Sequence, residues 1–252
     1  MKTALITGAT SGIGQATALR LARLGYRLIL TGRRKERLDA LKTHLEQDFG
    51  IEVRALHFDI RDQLAVSAAV ESLPEAWGQI DILVNNAGLA AGFEPINEGC
   101  LTDWEAMIDT NVKGVLYITR IVSSRMIARR SGHIINLGSI AGTQAYANGA
   151  VYCASKHALH ALSQGMRIDL LPHNIKVTEV RPGMVHTEFS TVRFHGDTQR
   201  ANNVYKGVEP LVGDDIAAIV EWLVGLPPHM NVNDIEVMPT QQANAYYTHR
   251  KE

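Results

Sequence analysis

The chain has 252 residues, 46% of them hydrophobic and 20% charged, with a net charge of −1 and a pI near 6.8. That length can bury a substantial core as one α/β domain. The near-neutral charge excludes the basic field that nucleic acid or an anionic membrane surface requires. Cys100 and Cys153 are too few for a disulfide framework, which points to a reduced compartment. The start, Met1-Lys2-Thr3-Ala4-Leu5-Ile6, runs straight into a glycine-rich turn. No apolar stretch reaches the length of a signal peptide or a membrane span. A cytoplasmic protein with no membrane or nucleic-acid partner is expected.

Short apolar runs predict strands at Ala4–Ile6, Arg27–Leu30, Val53–Phe58, Ile82–Asn85, His133–Leu137, Lys176–Val180 and Ile235–Met238. They show little polar alternation, as in a sheet covered on both faces. Between them run helical patterns. Ala16, Leu19 and Ala22 make one stripe, and Leu38, Leu41 and Leu45 another; long patterns cover Thr102–Arg130 and Ala150–Leu171. The alternating order predicts a single Rossmann-type, doubly wound parallel sheet of about seven strands, with helices on both faces. Residues 187–210 are polar and without clear periodicity, as expected of a substrate lid inserted in one domain spanning 1–252. The tail, Pro239–Glu252, has two open readings: disordered, or packed on a partner subunit.

The first strand ends in Thr7-Gly8-Ala9-Thr10-Ser11-Gly12-Ile13-Gly14, and a helical pattern begins at once. Glycine there permits a tight turn and close backbone approach, and the helix offers free N–H groups to a pyrophosphate. Gly8, Thr10, Ser11, Gly12, Ile13 and Gly14 are thus candidate cofactor ligands. A sharp turn without a ligand is the plainer alternative. After the second strand come Thr31-Gly32-Arg33-Arg34, with no acid to hold a ribose 2′-hydroxyl. Arg33 and Arg34 at that point suit a 2′-phosphate, so NADP is the expected cofactor.

Three features follow in order: Asp81-Ile82-Leu83-Val84-Asn85-Asn86-Ala87-Gly88; Asn136-Leu137-Gly138-Ser139; and Tyr152-Cys153-Ala154-Ser155-Lys156. Tyr152 and Lys156, four residues apart, share one helical face. An ammonium beside a phenol favours phenolate, giving an acid/base group near neutral pH. Ser139, at a strand's carboxyl end, can orient a substrate oxygen. Singly, each has a plainer reading: a surface pair, a helix cap, turn formers. The ordered set is what carries weight.

In these motifs the sequence resembles the short-chain dehydrogenase/reductase family, from Thr7–Gly14 to Arg181-Pro182-Gly183. The resemblance implies that Tyr152 is the acid or base, that Lys156 lowers its pKa and holds the nicotinamide ribose, and that Ser139 binds the substrate oxygen. It further implies that Asn111, in Thr110-Asn111-Val112-Lys113-Gly114, supports a proton relay to Lys156. Asn86, Ala87 and Gly88 would lie by the cofactor, and Asp59 and Ile60 by the adenine. Pro182, Gly183, Val185 and Thr187 would line the nicotinamide. Family members pair their long helices into dimers and tetramers, so a homotetramer is implied.

Thr187-Glu188-Phe189-Ser190, Val192-Arg193-Phe194, Gly196-Asp197 and Val237-Met238-Pro239-Thr240-Gln241-Gln242 resemble one subgroup, the NADP-dependent 3-hydroxy acid dehydrogenases. Serine, allo-threonine and malonic semialdehyde are the substrates this implies. Alternatives are an NADPH-dependent carbonyl or 3-oxoacyl reductase, or an NADP-binding regulator without catalysis. A hydroxy acid carries a carboxylate, for which Arg193 is the candidate ligand; a solvated loop or subunit contact is its plainer reading. The histidines, His195 included, lack metal-ligand spacing, and no metal is expected. Cys153 reads as packing, and Trp104 and Trp222 as core or interface anchors.

Overall fold

The computed structural model describes residues 1–251. Seven strands form one parallel sheet: β1 (Thr3–Ile6), β2 (Arg27–Gly32), β3 (Val53–His57), β4 (Ile82–Asn85), β5 (Gly132–Leu137), β6 (Ile175–Pro182) and β9 (Asp234–Val237). Their order is β3-β2-β1-β4-β5-β6-β9, so the winding reverses between β1 and β4. Ligands of open α/β sheets bind at such a reversal, outside the carboxyl ends of the strands.

Successive side chains of each strand point to opposite faces. Ala4, Ile6, Leu28, Leu30, Val84 and Ile135 therefore meet one helical layer: α1 (Gly12–Arg23), α2 (Lys35–Phe49) and α9 (Gly213–Val224). Leu5, Ile29, Leu83 and Ile134 meet the other, where α3 (Gln63–Glu71) and α5 (Val115–Arg129) contribute Val66, Val70, Ile118, Val122 and Met126. With both faces covered, the strands need no polar alternation. Burying each Val, Leu, Ile or Met among them contributes about 1.5–3 kcal/mol.

The α2 stripe of Leu38, Leu41 and Leu45 is buried as predicted. The face of α1 is rotated from its prediction: Gly14, Thr17, Ala18, Leu21 and Ala22 are buried, while Ala16 and Leu19 sit on the flank. The turn sets that rotation, because a Cβ at Gly14 would lie 2.5 Å from the Gly8 carbonyl oxygen. The pattern over Thr102–Arg130 is also not one regular helix. α4 (Leu101–Ile108) passes through a π-helical segment (Asp109–Gly114) into α5.

Residues 187–210 are more structured than expected. They hold α7 (Phe189–Arg193) and α8 (Thr198–Asn203), flanked by a small parallel pair, β7 (Val185–His186) and β8 (Leu211–Val212). The tail folds onto its own chain. The Met184 and Glu209 amides donate to Gln242 and Gln241 side chains at 2.8 Å, and Lys251 N donates to Gly207 O at 2.8 Å. Trp104 packs beside a small core cluster, whereas Trp222 on α9 is half exposed. No helix among the described residues is long and apolar enough to cross a membrane.

A polar seam crosses the sheet centre. Asn85 Nδ2 donates to Asn136 Oδ1 and Thr119 Oγ1, and Asn136 Nδ2 to Ser163 Oγ, each at 2.9 Å. His133, 3% exposed on β5, pairs through Nε2 with Thr178 Oγ1 at 2.8 Å. Burial, with Lys176 adding, pushes its imidazole from the ordinary 6.5 down to about 3. Between those values the unfolded chain binds a proton that the folded chain refuses, so stability falls as pH falls. Below pH 6.5, His133 is expected to remove about 1.4 kcal/mol per pH unit. Urea unfolding from pH 7.5 to 5 checks this, since the pH slope should be shallower in His133→Gln.

Candidate active site

A cleft of about 340 Å³ opens at the carboxyl ends of the strands. The glycine turn forms its floor. Gly8 has φ of +65°, and a Cβ there would stand 2.9 Å from Ala87 Cα, so only glycine fits both backbone and space. Asn86 ties the turn to β4: its Nδ2 donates to the carbonyls of Thr7 at 2.9 Å and Gly8 at 3.0 Å. Thr10, Ser11, Gly12 and Ile13 complete the floor, with Ala87 and Gly88 beside them, and Thr187 reaches over Gly12.

The two arginines after β2 differ. The guanidinium of Arg34 is already engaged: it donates to Thr10 Oγ1 at 2.9 Å, Ser11 Oγ at 2.7 Å and Glu188 Oε2 at 2.7 Å. Glu188 also accepts from Arg37 at 2.6 Å, and these hydrogen bonds hold its carboxyl down at about 2. The bridging role of this carboxylate was not anticipated from the sequence, although it directly follows Thr187. Arg33 is 58% exposed, and its nearest acid is Asp59 at 4.0 Å. Of the pair, Arg33 has the open fork. Asp59 and Ile60 line the same end of the cleft, with Asp59 bound to Arg61 at 2.7 Å.

At the other end stand Ser139, Tyr152 and Lys156, with Pro182, Gly183 and Val185 opposite. Ser139 Oγ accepts from Ala141 N at 3.1 Å, which fixes it as the cap of a short turn at the end of β5. Tyr152 and Lys156 lie on α6 (Ala150–Leu170), 8% and 7% exposed. Lys156 Nζ donates to Leu137 O at 2.8 Å, and burial pushes its ammonium down to about 8 against the opposing pull of Glu179.

The expected tuning of phenol by ammonium takes another form here. Burial pushes the Tyr152 phenol up, and the cation opposing that shift is Arg193, helped by the Ser139 hydroxyl. The Arg193 guanidinium carbon lies 4.9 Å from the Tyr152 ring centre, while Lys156 is turned to a carbonyl. A buried phenol held neutral is set to donate a proton.

Gly14, Asn111 and Arg193 stand behind the cleft wall. Asn111, 1% exposed inside the π segment, clips Leu89: Oδ1 accepts from Leu89 N at 2.9 Å and Nδ2 donates to Leu89 O at 2.8 Å. The π turn brings it inward, and Nδ2 also reaches Ser155 Oγ at 3.0 Å. Arg193 is boxed by the rings of Tyr152, Phe189, Phe93 and Tyr146 at 4.9–5.9 Å. Its Nη2 donates to Tyr146 Oη at 2.9 Å, and its buried Nε lacks a partner among the described residues. The box was not anticipated; Phe93 and Tyr146 sit in loops without a pattern. Cys153 is buried in a small apolar cluster and His195 pairs with Asp103 at 3.0 Å. His160, Glu179 and Asp234 approach one another as metal ligands do, but the Arg181 guanidinium lies 3.1 Å from Asp234 and 3.7 Å from Glu179.

The pattern of the short chain dehydrogenase family matches residues 2–197. A probable NADP-dependent dehydrogenase of Haemophilus influenzae is 49% identical over 251 residues, covering 99% of this chain and 98% of that one. The NADP-dependent 3-hydroxy acid dehydrogenase YdfG of Salmonella typhi is 46% identical, covering 96% of each chain. The closed form of a serine dehydrogenase complexed with NADP+ superposes with a TM-score of 0.92 at 42% identity, covering 99% of this chain and 100% of that one. With the glycine turn, Ser139, Tyr152 and Lys156 gathered on one cleft, this chain belongs to the short chain dehydrogenase family.

Proposed function

We propose that the chain is an NADP-dependent oxidoreductase that moves hydride between the cofactor and a small 3-hydroxy acid, such as serine or allo-threonine, or the matching semialdehyde. The observation that carries this reading is the pairing of a neutral buried phenol, Tyr152, with a guanidinium of unmet hydrogen-bonding capacity, Arg193, at one end of the cleft. The names of the relatives agree with it.

The residues fit NADP. The glycine turn is a cradle that a Cβ at Gly8 would fill, and the exposed Arg33 fork stands where β2 ends without an acid. Gly8, Thr10, Ser11, Gly12 and Ile13 would hold the pyrophosphate, with Gly14 packing the helix start against the turn, and Arg33 would take the 2′-phosphate, with Arg34 bracing Thr10 and Ser11 beside it. Asp59, Ile60, Asn86, Ala87 and Gly88 would flank the adenine and ribose, and Pro182, Gly183, Val185 and Thr187 the nicotinamide. The cofactor supplies the hydride chemistry. Tyr152 Oη gives its proton to the carbonyl oxygen in reduction and takes it back in oxidation. Ser139 Oγ orients that oxygen, Lys156 holds a positive charge beside the ribose, and Asn111 fixes the backbone of Leu89, which lines the cleft on the Lys156 side. Phe189 packs edge-on against Tyr152 at 5.6 Å and holds the ring in place.

Arg193 would bind the substrate carboxylate. The chain acts as one domain, 1–252, with 187–210 as its substrate lid. A homotetramer is supported by apolar residues left exposed on and beside the long helices, Leu101, Leu116, Ile168 and Leu171. Two free thiols, one of them exposed, support a cytoplasmic site.

Tyr152→Phe should retain cofactor binding by fluorescence titration while kcat falls ~10²–10⁴-fold, the usual worth of a positioned acid. Near-normal turnover would remove the role given to the phenol. Arg33→Ala should weaken NADPH about tenfold and leave NADH unchanged, since one charge-assisted contact contributes about 1.5 kcal/mol. Arg193→Ala should raise KM for hydroxy acids ~10-fold or more and spare uncharged aldehydes; equal effects on both would point to a structural role.

A further inference from the structure

Behind the cleft, Glu179 on β6 is 0% exposed, yet one carboxylate oxygen, Oε1, has no partner among the described residues. Its other oxygen accepts from His160 Nδ1 at 2.5 Å, and Arg181 Nη1 lies 3.7 Å away. A buried carboxylate with an unmet oxygen calls for an explanation beyond packing. The orphan oxygen lies against Gly138, where any Cβ would overlap it. Gly138 lines the cleft, and the carbonyl just before it, Leu137 O, is the one that receives Lys156 Nζ. On the helix side, His160 is one turn beyond Lys156, with the Lys156 carbonyl and the His160 Cβ both bordering Gly142. The acid and the lysine thus approach the end of β5 from two sides.

We propose that Glu179 is a positioning residue for Lys156, an anion held under Gly138 whose charge keeps the buried lysine an ammonium. The charged and titratable groups around the pair are Tyr152 and His160 on α6, Glu179 and Arg181 on β6, and Asp234 on β9. Leu137 O, Ser139 and Asn111 complete the surroundings of Lys156 without adding charge. Burial pushes the lysine down to about 8, and Glu179 is the group that pulls the other way. Burial pushes the Glu179 carboxyl above its ordinary value, and His160 and Arg181 pull it back toward the charged form. The inference concerns Lys156 in the free protein; its bearing on turnover rests on the function proposed above.

The direct test uses the cofactor-free protein. Brief acetylation with acetic anhydride, read at Lys156 by mass spectrometry from pH 6 to 10, gives the ionisation midpoint of that amine. Glu179→Gln should lower the midpoint by about one unit, which is about tenfold faster labelling at pH 7. Glu179→Asp, which keeps the charge, should leave it within a few tenths. His160→Ala, on a partly exposed side chain, should move it in the same direction by less, and carries the test should Glu179→Gln not fold. An unmoved midpoint in these variants overturns the proposal, even if they are less stable. In the loaded enzyme the alkaline limb of aldehyde reduction should move with the midpoint. A moved midpoint with an unmoved limb would retain the coupling and overturn the catalytic role of Lys156 instead.

Discussion

Lys156 carries a positive charge almost out of water, between the end of β5 and the first turns of α6, and much of the site is arranged around that charge. A bare ammonium in that place would lose its proton. The chain meets the cost with a strand-end carbonyl, Leu137 O, whose position depends on the parallel pairing of β5 with β4 and β6. The pairing is fixed in turn by the buried amides of Asn85 and Asn136, which lock strand to strand and strand to helix. A one-residue slip would turn these amides onto the wrong face and strand them among apolar side chains.

Much of this was legible in the sequence because it rests on local rules. Seven apolar runs gave the seven strands, since a sheet covered on both faces reads as continuous hydrophobicity. The glycine turn and the spacing of Tyr152 and Lys156 depend on nearest neighbours in the chain, and their residues meet in one cleft. What could not be read involves groups far apart in sequence. Glu188 bridges Arg34 and Arg37 across some 150 residues, and Phe93 and Tyr146 from two loops meet Arg193 at the end of α7. The π segment is a further case. Its one extra residue per turn leaves the hydrophobic pattern nearly unchanged, yet it turns Asn111 toward Leu89.

The same limit explains why the roles of the two cations near the phenol differ from the sequence expectation. Spacing on a helix shows that Lys156 can approach Tyr152, but not that a carbonyl two elements away takes the ammonium first. Arg193, at the end of α7 and well beyond α6 in the chain, lies against the ring instead. Burial then dominates the phenol, since desolvation acts on it from all sides and the guanidinium from one.

Chain ends are ordinarily the part of a domain that tolerates loss. Here the last stretch crosses the molecule like a tie rod: Gln241 and Gln242 hold Glu209 and Met184, Ala245 N donates to Gln144 Oε1 at 2.8 Å, and Lys251 binds Gly207. Both ends of the 187–210 segment and the loop after Ser139 are thus fastened by residues 241–251. These contacts all come from residues after β9, so the seven strands can pair completely while the walls of the reaction chamber are still unfastened.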